Sequence, residues 1–199
     1  MYTIETTTTK IKTDDLIKNY CDKERVEGYC KQCSKYSKIW SCPPYGFNTE
    51  DYIRQFDIIY IIGTKVIIDE QTIEKIRKKE EITKYSYETV IAVRKMVYDK
   101  LIKLEKEYCG SKIINSGNCT ICKECTRSQN IKCRHEANIR YSLESLGFDV
   151  EKITKELLNI ELKWPLNKLP EYLTLVSGFM TNCNIENDKV IRAAQLKKR

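Results

Sequence analysis

Ten cysteines are present in this chain of 199 residues, and most of them fall into two short runs. The first reads Cys30-x2-Cys33-x8-Cys42-Pro43-Pro44-Tyr45, and the second Cys119-x2-Cys122-x2-Cys125-x7-Cys133. The loops that carry them, 21–45 and 117–136, hold few aliphatic residues, so neither can close a hydrophobic core of its own. Something other than apolar burial must hold them. The N-terminus, MYTIETTTTK, has no basic stretch followed by an apolar one, so no secretory signal is expected. A cytoplasmic chain keeps its thiols reduced, which sets disulfides aside and leaves metal ligation or redox chemistry.

The rest of the chain reads as globular. Hydrophobic residues make up 41% and aromatics 10%, enough apolar area to argue against disorder. The length suits one domain, 1–199. No apolar run approaches the roughly 20 residues of a membrane helix. Residues 1–12 read as a Thr-rich arm or edge strand, and Thr13 as the cap of a short helix. Thr49 reads as the cap of a turn over 50–56. The β-branched run 57–68 predicts one long buried strand with Gly63 at a bulge, or two strands. A short helix follows at about 71–80. A long one is expected over 86–108, where Val90, Val93, Val97, Leu101, Leu104 and Tyr108 form one apolar stripe and Gly110 marks the stop. A strand at 112–115, helices at 136–146 and 150–159, and a last strand at 172–181 complete the pattern. The expected class is α+β: a small mixed β-sheet covered by helices, with two cysteine-rich metal-binding loops.

The second run carries the stronger chemistry. Three cysteines spaced by two residues wrap a loop so that their sulfurs converge on one face of an iron–sulfur cubane. Zinc sites usually pair two separate C-x2-C hooks instead. A [4Fe–4S] cluster is therefore the first reading, with zinc the alternative, and Cys133 either closes this site or serves the other. In the first run, Cys30, Cys33 and Cys42 supply three corners of a second cluster. Its fourth iron would take Cys21, Cys133, Cys183, water or a substrate, and an open corner is a Lewis acid. Tyr29, Tyr36, Trp40 and Tyr45 flank this run and read as packing or as a shield from water. Arg134 and His135 follow Cys133 as candidate donors to a reduced cluster. Cys21, Cys109 and Cys183 stand alone and read as small buried residues.

Other classes lack their signatures. There is no G-x-G-x-x-G, no Walker loop, no G-x-S-x-G and no C-x3-C-x2-C. The net charge of +7, from 35 basic and 28 acidic residues, reads as a solubilising surface. Nucleic acid and membrane are not expected as partners, whereas a redox protein partner is.

The segments CKQCSKYSKIWSCPPY (30–45), LEKEYC (104–109), NCTICKECTRSQNIKCRHE (118–136) and YSLESLGFDV (141–150) resemble the cysteine-rich predicted metal-binding proteins of the domain of unknown function 2284 family. The resemblance runs from about residue 29 to 181. Glu136 departs from the Pro that members usually carry after the Cys-Arg-His triplet. The resemblance implies metal binding, iron–sulfur in kind, and no substrate. The sequence thus points to a cytoplasmic protein with one or two [4Fe–4S] clusters in electron transfer or a redox role. Two alternatives stand beside it: an enzyme using an open-corner cluster on a small substrate, and a zinc-stabilised binding module.

Overall fold

The structure, a computed structural model, describes residues 1–183 and 185–196. Four strands, β1 (Tyr2–Lys12), β2 (Ile58–Ile68), β3 (Lys112–Ile114) and β4 (Tyr172–Thr181), form one sheet in the order β1-β2-β4-β3. Among the described residues seven α-helices accompany them: α1 (Thr13–Tyr20), α2 (Lys23–Lys31), α3 (Thr49–Ile53), α4 (Glu70–Lys75), α5 (Lys79–Glu107), α6 (Val150–Leu157) and α7 (Asn187–Ala194). The class is α+β, but every hydrogen-bonded strand pair is antiparallel, where a mixed sheet was expected. The helical crossover α4–α5 does join two strands that run parallel, β2 and β3. Strand β4 inserts between them, so they never pair.

Strand β2 is apolar almost throughout because both of its faces are covered. Tyr60 and Ile62 enter one core with Val93, Val97, Leu101 and Leu104 of α5 and Val190 of α7. Ile59 and Ile61 enter the other, with Leu16 and Ile17 of α1, Ile53 of α3, Phe148 and Ile153. Period-two alternation along the strand thus feeds two cores, and no polar face remains. Pairing is unbroken on both sides of Gly63, which faces Thr7 and Val176, so no bulge forms. A Cβ at Gly63 would lie 2.8 Å from the ends of both Leu158 and Ile160. Glycine is needed there for the segment after α6 to lie flat on the sheet. The N-terminal residues are an edge strand paired along its length with β2; its lysines and threonines suit an edge that must not recruit another strand.

Several elements differ from expectation for identifiable reasons. Helix α5 begins at Lys79, earlier than expected, because Ile82 extends the buried stripe and Glu80 and Glu81 favour the positive helix end. Thr13 caps nothing: its buried hydroxyl donates to the Phe56 carbonyl. The cap of α3 is Asn48, whose side chain accepts from Glu50 N at 2.9 Å. The helix expected over 136–146 is two short 3-10 turns, 136–138 and 144–146. Tertiary partners take the backbone groups between them. Arg140 donates to the carbonyls of Ala137 (2.9 Å) and Ile139 (2.8 Å), and Asn115 N donates to Tyr141 O at 2.8 Å. Ile139, at φ −64° and ψ 129°, is extended, which ends the first turn and breaks the i→i−4 ladder.

Candidate metal centre

The first cysteine run begins in a helix and continues in turns. Asp22 caps α2 by accepting from Arg25 N at 3.2 Å. This helix carries Cys30 in its last turn and delivers Cys33 just beyond its end. Gly147, at φ +96°, lets the following loop close on Lys23: a Cβ there would lie 2.8 Å from the Lys23 side chain. Asp22 N donates to Gly147 O at 2.9 Å, which docks the start of α2 on that turn. Cys30 and Cys42 are half-buried and Cys33 is exposed. Burial pushes the thiols of Cys30 and Cys42 up to about 11, with Glu144 adding next for Cys30 and Cys33 for Cys42. Beneath the run, Tyr45 stacks on Phe47 at 4.9 Å and meets Tyr141 edge-on at 5.1 Å, and its hydroxyl donates to Ser41 O at 2.7 Å. Tyr45 is therefore held by packing and a hydrogen bond, Tyr29 is exposed, and Tyr36 donates to Glu27 at 3.0 Å.

The second run has no regular structure before the 3-10 turn 126–129. Cys119, Cys122, Cys125 and Cys133 all line one small cavity. Each of the other three thiols acts on Cys119, whose own thiol is raised first by burial. Cys133 thus sits with the triplet and not with Cys30, Cys33 and Cys42. Ile39, Trp40, Ile121 and Ile139 supply the apolar walls. Trp40, which the sequence assigns to the surroundings of the first run, walls the second. Backbone N–H groups reach the sulfurs: His135 N lies 3.4 Å from Cys133 Sγ, as Lys35 N lies 3.5 Å from Cys33 Sγ in the first run. His135 also lines the cavity, whereas Arg134 points to the Glu124 carbonyl at 3.5 Å. Among the described residues, no three His, Cys, Asp or Glu side chains are drawn together tightly enough to chelate a single ion; the four thiols stand around the cavity wall.

The two runs, far apart in the chain, touch. Cys119 N donates to the buried Ser41 Oγ at 2.8 Å, directly beside Cys42. Arg127 donates to the carbonyls of Ile39 (2.9 Å), Cys42 and Pro44, and its guanidinium lies over the Trp40 ring, 5.1 Å from the centroid. The Trp40 indole donates to Ile131 O at 3.2 Å. A second anchor is the buried pair Glu105–Arg140. Arg140 Nε donates to Glu105 Oε2 at 2.8 Å, its second nitrogen bonds Oε1, and Ile113 N also donates to Oε2 at 2.8 Å. This pair ties the end of α5 to the segment leaving Cys133.

Ser41, Arg127, Glu105 and Arg140 were not singled out in the sequence. An Arg two residues after Cys125, inside the cysteine loop, was the one available cue. The remaining cysteines lie elsewhere. Cys183 packs on the core under α5, Cys21 on the core under α1, and Cys109 is exposed beyond the end of α5.

The residues fit a sulfur-ligated metal group by the chemistry of the donor set: four thiols around one apolar cavity with backbone N–H groups directed at sulfur. No helix in the described residues is long and apolar enough to cross a membrane. The model of a family described as predicted metal-binding protein, DUF2284, matches residues 10–180. No curated protein and no solved structure matches the chain.

Proposed function

Because the chain belongs to the DUF2284 family of predicted metal-binding proteins, we propose that its metal is iron–sulfur and that its role is electron transfer with a redox protein partner. Cys119, Cys122, Cys125 and Cys133 would hold one [4Fe–4S] cluster; Cys30, Cys33 and Cys42 would hold three corners of a second. The observation that carries the reading is the shared wall between the two runs. Ser41, the neighbour of Cys42, accepts the N–H of Cys119, so the two sites sit a few bonds apart. A bound cluster supplies one-electron exchange at a potential set by burial and by hydrogen bonds to sulfur. The chain's part is to exclude water with Trp40, Ile39, Ile121 and Ile139, to stabilise thiolates through backbone N–H groups, and to keep the two runs in register through Arg127.

One observation favours a second reading, an enzyme with an open-corner cluster at the first site. That run has three cysteines, and a cavity of about 370 Å³ lined by Cys30, Pro43, Tyr45 and Glu144 opens beside it. Anaerobic purification with iron and acid-labile sulfide analysis tests the main reading. Brown protein with iron and sulfide in equal amounts is expected. Colourless protein containing zinc would replace it with the zinc-stabilised module.

A further inference from the structure

On the other side of the Cys119 loop lies a second cavity, of about 360 Å³, within the range of small-molecule sites. Its walls include Ile91, Arg94 and Tyr98 on one face of α5, with Arg140 and the Cys119–Ile121 loop opposite. Cys119 and Ile121 border both this cavity and the one ringed by the four thiols.

Two of the cations in the walls form direct ion pairs, and one does not. Arg140 is paired with Glu105 and Lys95 with Asp99 at 2.6 Å. Arg94 takes part in neither pair. Its Nε is buried and has no hydrogen-bond partner among the described residues. Glu144 acts on it only through space and lines the cavity beside Cys30 instead. Arg94 is half-buried and cannot relieve burial by losing its proton, and its only counter-charge, Glu144, makes no direct bond to it. Its place is also enforced from outside. Gly117 has φ +83°, and a Cβ there would lie 2.7 Å from an Arg94 guanidinium nitrogen. The glycine that opens the second cysteine loop thus leaves room for this guanidinium.

We infer that the cavity between α5 and the Cys119 loop binds a small organic carboxylate, with Arg94 as the group that receives the carboxylate. A planar guanidinium fork matches a carboxylate in two parallel hydrogen bonds. Ile91, Ile121 and the ring of Tyr98 cover the apolar body of the ligand, and Asn138, exposed at the rim, offers a polar edge. A single guanidinium without a direct ion pair suits a monoanion better than a phosphate dianion. The ligand would lie against the loop that carries Cys119, whatever metal that loop holds.

The test uses the metal-loaded protein as isolated, with benzoate as probe, benzamide as its neutral counterpart, and inorganic phosphate as the competing anion. Benzoate should raise Tm in a concentration-dependent way, and benzamide should not. Arg94→Met should weaken benzoate binding by about tenfold or more, with metal content unchanged, because Arg94 makes no hydrogen bond that the cysteine loop depends on. Ile91→Glu, one turn before Arg94, puts a tethered carboxylate in the cavity and should block benzoate even if Arg94→Met fails to fold. Equal binding by either folded variant, no binding of benzoate to wild type, or stronger protection by phosphate would each overturn the assignment. The readout does not depend on the identity of the metal. Zinc-containing protein that binds benzoate through Arg94 would end the iron–sulfur reading and leave this one standing.

Discussion

Replacing Arg140 by Met should destabilise the protein far more than a surface substitution would. Arg140 and Glu105 are 5% and 9% exposed, so the pair is shielded from solvent. Removing the guanidinium strips Glu105 of both its arginine bonds and leaves the carbonyls of Ala137 and Ile139 without their donor. Breaking a buried pair from one side costs about 3–5 kcal/mol. Glu105 keeps the N–H of Ile113 at 2.8 Å and Lys112 at 3.9 Å, which places the expected loss near the lower end, about 3 kcal/mol. Urea unfolding of metal-loaded and metal-free protein measures it. The double variant Glu105→Leu/Arg140→Met should recover part of the loss, since no buried charge is then orphaned. A loss below about 0.5 kcal/mol, the range of ordinary surface changes, would refute the reasoning. So would a double variant less stable than the two single losses combined.

Arg127→Ala should loosen both cysteine loops together, seen as faster proteolysis within 30–45 and 117–135, and Arg127→Lys should not rescue it, because one ammonium cannot serve three carbonyls in a planar fork. Cys122→Ser should lower metal content per chain, and Cys109→Ser should leave it unchanged; the reverse would contradict the ligand assignment. Metal removal should expose the two loops to protease before the sheet, since ligand bonds there stand in for a core; equal resistance of the two forms would make the metal peripheral.

The strands β2 and β4 and the long helix α5 were legible because their signals are local: β-branched runs, and an apolar stripe at helical spacing. Strand 172–181 has the expected bounds. The segment 136–146 misleads for an equally physical reason. Its periodicity is helical, but Arg140 spends the nearby carbonyls on its own guanidinium and on the approach to Glu105, across 35 residues. The cysteine spacings were legible as a donor set, and the structure places Cys133 beside Cys119. The neighbourhood of the two runs was not legible. It depends on Ser41 meeting Cys119 across 78 residues and on Arg127 reaching Ile39 across 88, and no periodicity records such contacts. Trp40 illustrates the cost: placed by sequence beside the first run, it walls the second because its loop folds over the other.

The central claim is that two adjacent metal sites, built from Cys30, Cys33 and Cys42 and from Cys119, Cys122, Cys125 and Cys133, exchange electrons. Electron paramagnetic resonance of the anaerobically purified, dithionite-reduced protein tests it most directly. The account predicts a broadened spectrum from two interacting centres, which simplifies to that of one isolated centre in Cys33→Ser. A single narrow signal in wild type that Cys33→Ser leaves unchanged, or no signal at all, would contradict it.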